Sequence, residues 1–475
     1  MIDFILDRRS FVTSAIQATR RKFMGELASG LGGIALASLV SAKPLVAPFV
    51  PRVKRVVQIF CPGGVSHVDT FDYKPELIKQ HGLAMTGKGK MDTFFGQPGN
   101  LMKSPFPFKQ HGQCGRWVSG LFPNLATCVD DLTFIHSMVA KSANHTPAGF
   151  QMNSGFVLNG FPAMGSWVSY GLGSENENLP SFVVLLDPRG HPAGGSINWA
   201  SGFLPATHQG VTFRSTGEPI ADLETPKDVS QKERDAASDL LAKMNRDYLD
   251  ENPGDSAFSA RIRSYELAAR MQLAIPEAVG IDGETQATHR LYGLDQPVTA
   301  GFGRNCLLAR RLLERGVRFV QLWHGGAFGS PRINWDAHEN IVDNHTKQAA
   351  ILDKPAAGLL QDLKQRGLLD DTLFLWTTEF GRTPFTQGLG APGRDHHQHA
   401  FTIFMAGGGL KPGFAFGETD EIGYRVANNE VSIYDFHATI LHLLGIEHTK
   451  LTYYHNGIQR RLTDVHGEVV RGVLA

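Results

Sequence analysis

The sequence lacks most of the short motifs that mark a common enzyme class. No GxGxxG turn follows its first apolar run, which disfavours a dinucleotide fold. No GKS or GKT follows Gly63-Gly64, so that turn is not a phosphate-binding P-loop. HExxH is missing, and so is the GxSxG elbow, which disfavours a zincin and an α/β-hydrolase. An excess of one charge is missing too. The 46 basic residues balance 46 acidic ones, so a general role with nucleic acid or an anionic membrane has no electrostatic support. Cysteine is scarce: Cys61, Cys114, Cys128 and Cys306 fit no zinc-ribbon or CxxC spacing. In an oxidising compartment Cys114 and Cys128 are the nearest pair for one disulfide, while Cys61 and Cys306 lie in apolar contexts that suit buried thiols. No repeat and no low-complexity tract interrupts the chain.

Nor does any apolar run reach the roughly 20 residues of a membrane span. The run from Leu27 to Val40 is shorter, and Thr19-Arg20-Arg21-Lys22-Phe23-Met24 precedes it. Val40-Ser41-Ala42 then offers small residues for cleavage. A charged start, a short apolar run and a small-residue site read as a twin-arginine export signal over residues 1–42. Arg8-Arg9 is a second, weaker candidate. The expectation is a periplasmic or otherwise exported protein that meets the twin-arginine export machinery and whose mature form does not span the membrane.

What is present is an ordinary globular composition: 475 residues, 42% hydrophobic and 19% charged. Residues 43–475 are expected to form a single α/β domain with a helical insertion near 224–300. Short apolar runs read as core strands at Arg55–Phe60, Leu132–Ile135, Ser181–Leu186, Val317–Trp323, Leu373–Thr378 and Phe401–Ala406. Helical patterns lie between them, at Trp117–Asp131, Gly303–Arg315, His345–Arg366 and Asp435–Gly445. Glu224 to Ala274 is charged and helical in pattern, clearest at Arg261–Gln272. Strand-helix alternation predicts a mainly parallel central sheet covered by helices on both faces. His81–Gly115 shows little periodicity and reads as a long surface excursion. The loop from Asp187 to Phe213, with Arg189, His191 and His208, is a candidate for shaping a pocket.

In an open α/β sheet the residues just past the carboxyl ends of strands face the ligand crevice. Three such places are dense in acids and imidazoles. The first strand runs into a Gly-Gly turn with His67, Asp69 and Asp72, of which Asp72 reads as a cap. The fourth runs toward Asp336 and His338. The fifth runs into Glu379, Arg382, Arg394 and the Asp395-His396-His397 cluster, in a Gly-rich loop. Such donor sets suit zinc or manganese, and with more oxygens magnesium or calcium. Asp336, His338, Glu379, His396, His397 and Asp69 are therefore candidate ligands of a divalent metal. Arg382 and Arg394 are candidates for holding an anionic ester, and His67 for touching substrate. A structural alternative pairs Glu379 with Arg382 or Arg394. His145 and Thr146 stand at the mouth of a helix that carries Pro147 near its first turn, a natural anion site.

Six stretches, GGVSHVDTFDYKP, NHTPAGFQMNSG, NWDAHENI, TTEFGRTP, GRDHHQHAFTIFMAGGGLKPG and YDFHATILHLLGI, occur in that order between Val56 and Ile446. Together they resemble the alkaline phosphatase and sulfatase superfamily, and within it a twin-arginine-exported, sulfatase-like branch. The resemblance implies an alkaline-phosphatase-like fold and metal-dependent hydrolysis of phosphate or sulfate esters through a covalent intermediate. It implies that Glu379, Asp336 and His396 or His397 bind metal, with His338 or Asn340 adjoining, and that Asp435 is structural. The pattern departs at three places. Pro62-Gly63-Gly64 stands where a metal-binding Asp is usual, Glu379-Phe380 replaces Asp-His, and His145 falls on the nucleophile position. His145 is then a nucleophile, a metal ligand or a general acid, and Thr146 a substitute nucleophile. The expected activity is an exported metal-dependent hydrolase of a small-molecule or polysaccharide ester. The alternative is a lapsed binding or assembly module, for example for a sulfated polysaccharide.

Overall fold

The computed structural model describes residues 49–85, 91–214, 230–252, 278–328 and 332–475, with Phe258, Ile262 and Glu266. The twin-arginine stretch lies outside the described residues, as does Arg261–Gln272 apart from Ile262 and Glu266. The strands that build the site region are β1 (Arg55–Phe60), β2 (Pro98–Leu101), β3 (Thr133–Val139), β4 (Phe182–Leu185), β5 (Val211–Phe213) and β6 (Phe319–Trp323). They continue as β7 (Thr372–Thr377), β8 (Gly381–Gln387), β9 (Arg394–His397), β10 (Phe401–Gly407), β11 (Phe414–Phe416) and β12 (Val431–Ser432). Nine of them form one sheet in the order β11-β3-β10-β7-β1-β6-β4-β5, with β12 beside β3. Every pairing in it is parallel except those of β10, which runs antiparallel between β3 and β7.

Period-two alternation sends each strand's side chains into two cores. Val57, Ile59, Val320, Leu322, Phe374, Trp376 and Phe404 face one, which α4 (Pro297–Glu314) and α5 (Ile341–Gln365) cover. Val56, Phe60, Phe319, Trp323, Leu373, Leu375 and Ile403 face the other. That side is closed by α2 (Met164–Leu172) and α6 (Ile433–Leu443), with Met152 of α1 (His145–Ser154). Each such side chain, fully buried, contributes about 1.5–3 kcal/mol relative to exposure. The fold class is therefore α/β, with a mainly parallel sheet covered on both faces. A further helix, α3 (Gln231–Glu251), starts at a capping box of Ser230 and Glu233 and is largely exposed. Among the described residues no helix is long and apolar enough to cross a membrane.

Register sets the site. Phe60 pairs with both Trp323 and Thr377, so β1, β6 and β7 end level. Cys61, His324 and Thr378 then leave the sheet at one edge. Because β10 is antiparallel, its first residue reaches that same edge, preceded directly by β9.

Several local expectations need correction. The stretch between β7 and β10 is not a loop: β8 and β9 pair antiparallel, and β2 adds to β8. Its Gly and Pro residues had hidden the strand content. Trp117–Asp131 is not one helix. Trp117 belongs to a strand, Arg116–Ser119, and only Leu125–Asp131 turns, as a 3-10 helix. The Cys114–Cys128 disulfide is not formed, and all four cysteines are free thiols. Asp435 completes the capping box at the start of α6, with Ser432, as a structural residue should.

Candidate metal centre

Four side chains converge at the sheet edge: His145, Asp336, His338 and His396, each offering one ligand atom, all within 4.8 Å of one another. They come from three segments. His145 is the first residue of α1. Asp336 and His338 lie on the loop between β6 and α5. His396 sits on β9, where Arg382 of β8 is its register partner.

Tautomers decide what this cluster can do. His145 Nδ1 donates to Glu379 Oε1 at 2.7 Å, and His396 Nδ1 donates to the Ala143 carbonyl at 2.6 Å. His338 Nδ1 donates to Gln387 Oε1. With each Nδ1 hydrogen committed to an acceptor, each Nε2 presents a bare lone pair. The three nitrogens lie 3.3, 2.8 and 3.4 Å from Asp336 Oδ1, in the order His145, His338, His396. His145 Nε2 is buried without a hydrogen-bond partner. Burial also drives the His396 imidazole down to a pKa of about 2, against the pull of Asp336, so it stays neutral. Imidazoles steered by acceptors on their far nitrogens are the arrangement metal-binding histidines adopt. The donor set fits a divalent cation.

Asp336 anchors the cluster. Arg382, fully buried, donates from Nη2 to Asp336 Oδ1 at 2.6 Å, and Arg332 pairs with Oδ2. Burial works against the Asp336 carboxylate, but the Arg382 guanidinium beside it outweighs that and holds the carboxyl far below the usual range. Arg382 is itself fixed by carbonyls, through Nε to Gly64 at 2.8 Å and Nη1 to Arg394 at 3.0 Å. The Gly63-Gly64 turn supplies backbone at this place. Gly63 N–H donates to Glu379 Oε1 at 2.7 Å. Gly63 has φ +114°, and a Cβ there would stand 2.4 Å from Asp336 N, so only glycine lets the two loops meet.

The other expected site residues are placed elsewhere. Glu379 touches the cluster through His145 rather than pairing with Arg382 or Arg394. Asp69 makes a buried two-point pair with Arg394, 2.6 Å to Nε and 3.0 Å to Nη2, and accepts from Ser66 Oγ at 2.5 Å. Both charges are used up there, away from the four-residue cluster. His67 Nε2 bonds the Gly423 carbonyl at 2.8 Å, and His397 Nε2 the Tyr424 carbonyl. Of the two adjacent histidines, His396 joins the cluster and His397 does not, because successive strand residues face opposite ways. Thr146 is half-buried beside His145. Arg189 is spent on Asp187 at 2.6 Å.

A cavity of about 550 Å³ opens on the cluster, lined also by Phe94, Phe95, Phe328 and Arg332. Sequence reasoning missed all four. An adjacent aromatic pair in a polar, Gly-rich stretch was a usable signal for Phe94 and Phe95. Arg332 had none.

Residues 53–474 match the model of a family described as a protein of unknown function (DUF1501). The chain belongs to that family. No curated protein matches it. Among solved structures, this DUF1501 chain is similar to the lipoteichoic acid synthase LtaP from Listeria monocytogenes, at 10% identity, TM-score 0.34, covering 86% of this chain and 75% of that one. It is also similar to the PsFucS1 sulfatase from Pseudoalteromonas sp., at 12% identity, TM-score 0.35, covering 87% and 70%. A protein in the alkaline phosphatase superfamily from Vibrio parahaemolyticus matches at 12% identity, TM-score 0.33, covering 85% and 70%. Likeness at this level transfers no site, so the chemistry must come from the chain's own residues.

Proposed function

We propose that this DUF1501 chain is an exported metal-dependent hydrolase of phosphate, sulfate or related esters. The carrying observation is the convergence of three imidazole lone pairs and one carboxylate oxygen at the mouth of a cavity, with His145 Nε2 left unpartnered. His145, Asp336, His338 and His396 would hold the ion. Three nitrogens and one oxygen suit zinc or manganese better than magnesium or calcium. Such an ion, when bound, polarises an ester oxygen and lowers the pKa of water.

The chain's own groups have separable tasks. Glu379 keeps the His145 hydrogen on Nδ1. Arg382 holds Asp336 ionised and in place. The amino end of α1 adjoins His145, where free N–H groups favour anionic oxygens. With His145 in the cluster, hydrolysis needs no covalent ester on the protein: hydroxide from water adds to phosphorus or sulfur, and the alcohol leaves with a proton. Export is supported by the Arg20-Arg21 stretch ahead of its apolar run.

One observation favours the second reading, a binding module without turnover. Among the described residues lining the cavity there is no Ser, Thr or Cys. The deciding experiment is elemental mass spectrometry of the folded protein together with turnover of 4-nitrophenyl phosphate and 4-nitrophenyl sulfate. Bound metal with turnover, both lost in His396→Ala, supports the hydrolase. Bound metal without turnover on a broad ester panel, with retained binding of sulfated glycan, supports the module. A protein that takes up no zinc or manganese sinks the metal-dependent reading.

A further inference from the structure

The cavity wall beside the cluster is aromatic. Phe94 stacks on His396, with ring centres 4.7 Å apart, and Phe95 meets His338 edge-on at 5.2 Å. Phe328 stacks on His145 at 4.0 Å. Three of the four cluster residues thus carry a phenyl ring, yet the rings remain 40%, 48% and 37% exposed, in the same order. Packing against imidazole accounts for one side of each ring and leaves apolar surface in the cavity.

The first two rings are deliberately held. Asp395, nearly fully buried, accepts the Phe94 and Phe95 N–H groups on Oδ2 at 2.8 and 2.9 Å, and its neighbour's N–H, from His396, on Oδ1 at 2.8 Å. A carboxylate given three backbone donors ties a segment some 300 positions away to the strand that carries His396.

Several polar groups around the cavity are already engaged. Gln387 receives His338, and Arg332 is divided between Asp336 and Glu339. Beyond the four-residue cluster, Asn144 is the described lining residue whose side chain makes no bond. A heavily hydroxylated ligand would find few partners here, and unpaired polar groups are costly to bury.

We infer that Phe94, Phe95 and Phe328 form an apolar subsite for the non-reacting group of the substrate, which is a flat, hydrophobic ring on a small oxyanion head. Asp395 is its positioning residue. This rests on the anionic-ester reading of the metal centre and narrows it, away from polysaccharide. Apolar pockets with a few convergent polar groups are how proteins take such ligands.

Isothermal calorimetry on the zinc-loaded protein tests it without turnover, using phenylphosphonate, methylphosphonate and glucose 6-phosphate. Burial of one phenyl ring predicts phenylphosphonate binding about tenfold or more tighter than methylphosphonate. Phe328→Ala and the double variant Phe94→Ala/Phe95→Ala, each checked for metal content, should collapse that ratio toward one. Asp395→Asn should lower it with all three rings still present. Equal affinities in the wild type, or a ratio that survives both aromatic variants, overturns the subsite and leaves the ester reading standing. Glucose 6-phosphate binding as tightly as phenylphosphonate overturns the apolar assignment. If no phosphonate binds the zinc-loaded protein, the ester reading falls and the subsite with it.

Discussion

His338 Nε2 and His396 Nε2 face each other at 2.8 Å, although each ring has already given its Nδ1 hydrogen to another acceptor. Two lone pairs at that distance repel unless a proton or a metal cation stands between them. A divalent ion placed between them would take up both lone pairs. Zinc should raise the unfolding temperature of the metal-free protein, with about 2.7 kcal/mol of stabilisation at 100 times its dissociation constant. His338→Ala should remove most of that response. A melting curve indifferent to zinc and manganese speaks against the site.

Glu379 would act on a bound ion through His145. In Glu379→Gln the side chain keeps its size and the Gly63 N–H keeps an acceptor. The charge that steers His145 is gone. Metal affinity should fall about 10- to 100-fold, measured by competition with a chromogenic chelator, with little change in urea midpoint. Unchanged affinity means His145 is not a ligand.

Asp69 and Arg394 bear on stability rather than on metal. Their side chains are wholly buried, and each neutralises the other. Arg394→Met leaves a buried carboxylate unpaired and should cost about 3–5 kcal/mol in urea unfolding. Whatever protein folds should keep its metal. Loss of metal at unchanged stability would return Asp69 to the site.

Acid should unfold the chain early. Burial holds His345 and His397 at about 3 and His136 and His437 at about 4, all below an unfolded value near 6.5. These rings are neutral when folded and protonate on unfolding. The stability they contribute is present above pH ~6.5 and lost as pH falls toward the folded values, at about 1.4 kcal/mol per pH unit for each. Asp69 and Asp72, whose values are lowered in the fold, add a further loss below about pH 4. Urea midpoints at pH 7.5, 6.0 and 5.0 should fall steadily. A flat profile down to pH 5 contradicts neutral burial.

The sheet was legible because its strands are short, apolar and bounded, and β1, β7 and β10 lie within a residue of where their patterns put them. The hairpin of β8 and β9 was not. Its inward residues are Arg382, Arg394 and His396, whose polarity reads as a loop when burial is paired rather than apolar. Asp336, His338, His396 and His145 were visible as residue types at strand ends. Which of His396 and His397 turns inward depended on strand phase, and phase on a pairing the pattern concealed. Among the carboxylates Asp69 stands apart: it pairs with Arg394, and nothing in its spacing says so.

The cluster draws on positions 145, 336, 338 and 396, and its aromatic wall on position 94. No fragment made early in synthesis contains these groups together, and an extended chain presents none of them in register. An ion could be held there only after both halves of the polypeptide have met. If the cluster holds a metal, the compartment that hosts that meeting would choose it from its own supply.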